Sequence, residues 1–121
     1  IGSAYTHAAT DGQDAAQAEK ALQVFQKVLQ QDERYAPSVY FGIGTVYLLA
    51  LHQPEKALGY LEKAADATQN VAEPHRLLIQ AYYDTKRYDQ AWQRMRLAQD
   101  LGFEFPELLK ALQKAKQQSQ R

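Results

Sequence analysis

The sequence predicts an all-α protein made of stacked helical pairs, and three observations carry this prediction. No segment alternates apolar and polar residues in the way that a half-buried strand does. The four prolines and most of the six glycines stand at the edges of amphipathic stretches, where these residues begin and end helices. A pattern of aromatic, glycine and alanine positions in residues 40–64 returns in a weaker copy about 34 residues later, and a period of this length is typical of stacked helical pairs.

The first predicted helix covers residues 14–31, because its apolar residues recur every three or four positions on one face. Ahead of it, residues 3–9 have room for two helical turns, which the segment 10–12 is expected to interrupt. The apolar face of the helix consists of Ala18, Ala21, Leu22, Phe25, Val28 and Leu29.

Five further helices follow from the apolar periodicity and from the prolines. Three of them open at a proline, which a first helical turn tolerates because its amide has no partner there. Gly102 fits the position just beyond the fifth helix, and residues 68–71 form a loop. The predicted ranges are 37–50, 54–67, 72–85 and 88–101, followed by a last helix in 106–121 whose final turns are expected to fray.

The composition is that of one folded domain without a strong charge. With 121 residues and 45% hydrophobic content the chain is long enough to bury a core. Fourteen basic residues balance fourteen acidic ones, so no net field attracts nucleic acid or an anionic membrane. The longest apolar run, residues 46–51, is too short to cross a bilayer. The absence of cysteine excludes disulfides and thiolate metal sites and leaves the compartment open.

The repeated positions identify a resemblance to a known family. On two successive predicted helices they are an aromatic residue, Ile-Gly and tyrosine, then alanines and a large apolar residue: Tyr40, Ile43, Gly44, Tyr47, Ala57, Leu61 and Ala64. This pattern resembles the signature of the tetratricopeptide repeat. In the second copy His75, interpreted as a packed stand-in, replaces the aromatic residue, and Ile79 replaces the glycine. The resemblance covers about residues 14–103.

The resemblance implies a right-handed superhelical solenoid of antiparallel helix pairs, with about two and a half repeat units and a C-terminal capping helix. The single domain then divides into a partial first repeat, two full repeats and the cap with its frayed tail, over residues 1–36, 37–71, 72–105 and 106–121. Tyr47 and Tyr82 lie 35 residues apart, one more than the period, and the extra residue is expected in the turn 51–53. Gly44 is expected to let its helix approach Ala57 and Leu61 closely.

No group of residues predicts catalysis, a cofactor or a metal. The serines lie outside any nucleophile elbow, and the glycines form no loop that would cradle a phosphate. Acidic residues at the helix ends are interpreted as caps or solvated groups, and Trp92 as a packing residue. Arg94 and Arg96 point to different sides of their helix, too little for a nucleic-acid surface. The histidines are His7, His52 and His75, and none sits three or four residues from another histidine or from a well-placed carboxylate on the same helix face, as a metal site would require.

The resemblance places a binding surface on the first helix of each pair, where a concave wall accepts a peptide or a partner helix. The residues facing away from the second helix are Phe41, Thr45, Leu48, Arg76, Gln80 and Tyr83. The aromatic residues and the leucine are expected to supply apolar pockets, the arginine a charge-assisted anchor and the other two hydrogen bonds. The alternative is that Phe41 and Leu48 pack on the preceding repeat.

The residues of the clamp by which some members of this family hold the terminal carboxylate of chaperone tails are missing. Gly42 stands where the clamp has asparagine, and Glu73 and Leu77 stand at its lysine and arginine positions. We therefore expect a non-catalytic module that binds another protein segment. The alternatives are an accessory domain of a larger enzyme and a bacterial secretion chaperone, although such chaperones are expected to be more acidic.

The first repeat lacks its leading helix, so one flank of helix 14–31 needs a cover. The chain begins at Ile1 rather than methionine, which indicates either a piece of a longer protein or a processed form without its signal segment, and we expect the former. The flank is therefore expected to meet preceding repeats or a second copy of the chain. A monomer in sedimentation experiments over a wide concentration range would contradict the homo-oligomer.

Overall fold

The computed structural model describes residues 11–119, and this part of the chain is helical without any strand. A 3-10 turn, Glu33–Tyr35, precedes the second helix, and a π turn, Val46–Ala50, extends it. The all-α prediction is confirmed. The six helices are α1 (Asp11–Gln31), α2 (Ala36–Thr45), α3 (Pro54–Ala67), α4 (Ala72–Asp84), α5 (Tyr88–Asp100) and α6 (Pro106–Ser119).

The helix ends agree with the predicted signals, with one difference at the start of α1. Pro37 and Pro54 lie in the first turns of α2 and α3. Gly102 has φ +95° just beyond α5. Gly12, expected to interrupt the chain, lies inside α1, because one glycine costs a helix only about 1 kcal/mol. The turns expected at residues 3–9 lie outside the described residues.

Each helix packs on the next one along the chain, and α6 contacts both α5 and α4. Links of a few residues join consecutive helices. A small cluster of Leu22, Val39 and Ile43 holds α1 on α2. The main core lies between α3, α4, α5 and α6, with Leu61, Leu78, Ile79, Met95 and Leu112 among its largest buried side chains.

Two glycines allow α2 to approach both of its neighbours. A Cβ atom on Gly44 would lie 2.6 Å from Cγ and Cδ2 of Leu61 on α3. A Cβ atom on Gly42 would lie 2.6 Å from Cζ of Phe25 on α1. Real Cβ atoms do not come this close to another carbon, so a side chain at Gly44 would push its helix away from α3, whereas one at Gly42 requires the Phe25 ring to move. The expected contact of Gly44 with Leu61 is confirmed, and Ala57 is fully buried on the same helix α3.

The extra residue of the first full repeat was predicted in the turn 51–53. In the structure it lies in the helical segment before that turn. The amide of Gln53 donates to the Tyr47 carbonyl at 2.7 Å, whereas in the next pair the amide of Arg87 donates to the Tyr82 carbonyl at 2.8 Å. The left-handed residues that follow these helices are His52 (φ 53°) and Lys86 (φ 62°). His52 stands five residues before Ala57, and Lys86 stands five residues before Ala91, the alanine at the corresponding place. The turns are therefore equal in length, and the π turn holds the insertion.

Deletion of Leu49 is expected to preserve the fold. Leu49 is 47% exposed within the π turn, and its removal gives the first pair the spacing of the second, so that an ordinary α turn can form. We expect cooperative urea unfolding, followed by circular dichroism, with a free energy of unfolding within about 1 kcal/mol of the parent chain. As a control, deletion of the exposed Gln93 rotates the rest of α5 out of the core. Equal losses in both deletions would contradict this interpretation.

Candidate functional site

An open cleft of about 390 Å³ lies between α4 and the beginning of α6. On α4 its wall is formed by side chains at a spacing of four and three residues, which places them on one face of the helix. Three of the six predicted binding residues meet here. The lining residues are Arg76, Gln80 and Tyr83 from α4, and Glu104, Phe105, Pro106, Glu107, Leu108 and Ala111 from the link and α6.

Apolar side chains with fixed positions form the inner part of this α4–α6 cleft. The Tyr83 ring meets the Tyr88 ring edge-on, with 5.8 Å between their centroids. Phe105 packs against the main core, and its carbonyl accepts the amide of Leu109 at 2.9 Å. Leu108 is 8% exposed. These side chains are held by the core and leave part of their surface to the cleft, as in small pre-formed binding sites.

The two polar residues that α4 contributes are already engaged within the helix. The Arg76 guanidinium donates to Glu73 through Nε at 3.0 Å and through Nη2 at 2.6 Å. This hydrogen-bonded pair lowers the pKa of the Glu73 carboxyl and raises the pKa of Arg76. The Gln80 amide donates to Asp84 at 2.8 Å. Arg76 therefore differs from the free anchor that the sequence predicted.

The three predicted residues of α2 and its π turn do not line this cleft. Phe41 is half-buried against the main core. The Thr45 hydroxyl donates to the Phe41 carbonyl at 2.7 Å, inside its own helix. Leu48 is 4% exposed and belongs to the main core, so it forms no pocket on an open surface. Neither Phe41 nor Leu48 belongs to the separate cluster that holds α1 on α2.

A polar network that the sequence analysis missed connects α3, α4 and α5. The Tyr82 hydroxyl donates to Glu62, and Arg94 Nη1 donates to Asp66 Oδ1 at 2.8 Å. Burial, together with the hydrogen bond to Glu62, raises the pKa of Tyr82 to about 12. The partners of each pair lie 20 and 28 residues apart, so no local spacing could reveal them. The residues of this network do not line the α4–α6 cleft, and they tie three helices together.

His75 is fully buried next to this network. Its Nε2 atom lies 3.3 Å from the Gln69 carbonyl, and its ring centroid lies 5.8 Å from that of Phe103. Among the described residues, its Nδ1 atom has no hydrogen-bond partner. Burial is the main cause that lowers the pKa of His75 below its ordinary value. The burial confirms that His75 is a packed side chain, whereas its correspondence to an aromatic position of the repeat stays a prediction.

A second, more polar cleft of about 420 Å³ lies between α5 and the end of α6. Trp92 forms part of it, is half-buried and packs against the main core. Its interpretation as a packing residue agrees with this contact. The cleft is lined by Tyr88, Asp89, Trp92, Gln93 and Arg96 from α5, and by Lys116 from α6.

One flank of α1 carries an exposed apolar side chain. Val24 on α1 is 58% exposed, and the docking of this helix on a second copy stays a prediction.

In residues 11–119, His, Cys, Asp and Glu side chains nowhere gather in threes that could hold a metal ion. No helix of the described part is long and apolar enough to cross a membrane. No known protein-family model matches the chain, and no curated protein matches it significantly.

Proposed function

We propose that this chain is a non-catalytic protein-binding module of the tetratricopeptide type, whose helix pairs stack into a solenoid closed by α6. Consecutive packing of the helices and the short links between them support this architecture. Tyr47 and Tyr82 occupy corresponding places in two successive pairs, as do the left-handed residues His52 and Lys86. The contact of Gly44 with Leu61 adds the small residue that close helix pairs need.

The α4–α6 cleft is the observation that carries the binding proposal. In such a solenoid, α4 is the first helix of its pair and α6 follows in the position of the next first helix, so the cleft belongs to the concave side. Its inner side chains are apolar and held by the core, and its rim is charged. An extended or helical peptide fits such a site, because it buries apolar side chains and leaves its polar groups at the rim.

Selection of short random peptides displayed on phage tests this proposal. We expect enriched peptides whose affinity, measured by fluorescence anisotropy, falls about tenfold or more in Tyr83→Ala, because aromatic residues at the centre of an interface contribute most to binding. Leu97→Ala is the control, since Leu97 is 38% exposed on α5 and lines neither cleft. Circular dichroism checks that both variants stay folded. Failure to enrich peptides, or binding unchanged in Tyr83→Ala, would refute the proposal.

A further inference from the structure

We infer that the α4–α6 cleft selects a cationic peptide, with lysine or arginine next to a large apolar side chain. This inference rests on the proposed function and adds the chemistry of the partner to it. Three groups of observations carry it: the charges around the cleft, the state of its one basic residue, and the apolar side chains beneath the rim.

The charges around the cleft are mainly negative, although the whole chain is neutral. Glu104 and Glu107 line the cleft and are exposed. Asp84 adjoins it through its hydrogen bond with Gln80. In the described part of the chain, no ion pair engages any of these three carboxylates. All three act within about one Debye length of a ligand in the cleft, so their attraction for a cation adds up.

Arg76, the one basic residue in the wall, does not offset this charge. Glu73 holds its guanidinium through two hydrogen bonds, so the pair is close to neutral as seen from the cleft. A carboxylate ligand would meet a guanidinium whose charge Glu73 already balances, and it would also approach Glu104 and Glu107. Like charges at such a distance disfavour binding. The cleft therefore disfavours an acidic peptide, which would be the expected ligand if Arg76 were free.

The amino terminus of α6 is a further feature that could attract an anion, because the helix dipole is positive there. Glu107 lies in the first turn of α6 and already complements this dipole. Glu104 stands two residues before the helix. The protein thus supplies its own carboxylates at this helix end, and the place for an incoming anion is taken.

The apolar side chains suit the long stems of basic residues. Tyr83 presents an aromatic ring in the wall, and Phe105 and Leu108 lie below the rim. Lysine and arginine bury their methylene groups on such surfaces while their charged ends stay at the rim. An ammonium or guanidinium group can also stack on the tyrosine ring. Both features favour a cation with an apolar neighbour over a purely hydrophilic basic peptide.

The phage-selected peptides test this inference separately from the proposed function. We expect the enriched peptides to carry net positive charge and at least one large apolar residue. Replacement of their lysines and arginines by glutamine is expected to weaken binding about tenfold or more at low salt. Neutral or acidic peptides that still depend on Tyr83 would overturn the cationic preference and leave the binding function standing. Absence of any Tyr83-dependent peptide would overturn both.

A charge variant of the protein gives the second readout. Glu104→Gln with Glu107→Gln is expected to lower the affinity for an enriched peptide about three- to tenfold, since each exposed charge contributes modestly. The dependence of affinity on salt should also become weaker. The matched control is Glu19→Gln with Glu33→Gln, which removes the same charge from exposed positions in the α1 region. Equal behaviour of the two double variants would contradict the inference.

Discussion

Replacement of Gly44 by leucine is expected to lower the free energy of unfolding by about 1–3 kcal/mol. Even the first added carbon would lie 2.6 Å from two carbons of the Leu61 side chain, and the Leu61 backbone nitrogen lies only 3.4 Å away. Leu61 is fully buried and has no space to move into. Helix α2 must therefore move away from α3, at the crossing that the repeat architecture needs. Urea unfolding followed by circular dichroism measures the loss.

Gly59→Ala is the matched control for this experiment. Gly59 lies in α3, and a Cβ atom there would meet nothing within 4 Å. Alanine should thus stabilise the protein by about 0.5–1 kcal/mol, because it restricts the unfolded chain and favours the helix. The effect of Gly42→Ala on the free energy of unfolding should lie between those of Gly44→Leu and Gly59→Ala, since the neighbouring Phe25 ring is half-buried and can rotate away. A Gly44→Leu midpoint equal to that of the parent chain would refute the close helix pair.

Acidification is expected to destabilise the protein through His75. The folded state lowers the pKa of this side chain from its ordinary value of 6.5, mainly because the ring is removed from water. Below pH 6.5 the unfolded chain therefore binds a proton that the folded protein does not, and the free energy of unfolding falls as the pH decreases. The loss continues until the pH reaches the lowered pKa of the folded state. Above the ordinary value the stability is fully present.

The groups around His75 explain why protonation is unfavourable there. The Gln69 carbonyl accepts at one ring nitrogen and by itself favours the protonated form, but the removal of the ring from water, with Phe103 packed on it, outweighs this contact. Arg94 disfavours a positive charge on His75. Asp66 favours that charge but already forms an ion pair with Arg94. A proton on His75 thus enters a site with little water and with a cation nearby. Gln69 belongs to the link after α3, and Phe103 belongs to the link that leads to α6, so His75 contacts both links.

Thermal unfolding between about pH 7.5 and 5.5 measures this effect in a range where carboxyl groups change little. We expect the midpoint of the parent chain to fall, and that of His75→Phe to stay nearly constant. His52→Asn is the control, because His52 is exposed and asparagine accepts its left-handed backbone. This control should keep the full pH dependence. A parallel decrease in His75→Phe would assign the acid sensitivity to other groups.

Most of the fold could be predicted because its signals are local. Prolines in the first turns, Gly102 beyond α5 and the spacing of apolar residues each depend on neighbours along the chain. The pairing of Gly44 with Leu61 followed from the repeat pattern. The π turn could not be located in this way, because the repeat period reveals an added residue but does not tell whether the helix or the turn holds it.

The lining of the α4–α6 cleft was predicted only in part, for the same reason. The spacing of Arg76, Gln80 and Tyr83 on one helix face was sufficient to group them on the wall of one cleft. The role of Leu48 was not predictable, because its burial depends on how α3 and the later helices close over α2. The contribution of Glu104 and Glu107 depends on where α6 docks, which no short-range pattern specifies.

The position of Trp92 makes the docking of the last helix directly observable. It is the single tryptophan of the chain, and its half-buried indole shares a cleft with Lys116 near the end of α6. Indole emission responds to the polarity around the ring, so release of α6 into solvent should shift the emission spectrum without any attached dye. Among the tyrosines of residues 11–119, only Tyr88 lies on the same helix as Trp92, and selective excitation of the indole would therefore follow the docking of α6 while circular dichroism follows all six helices.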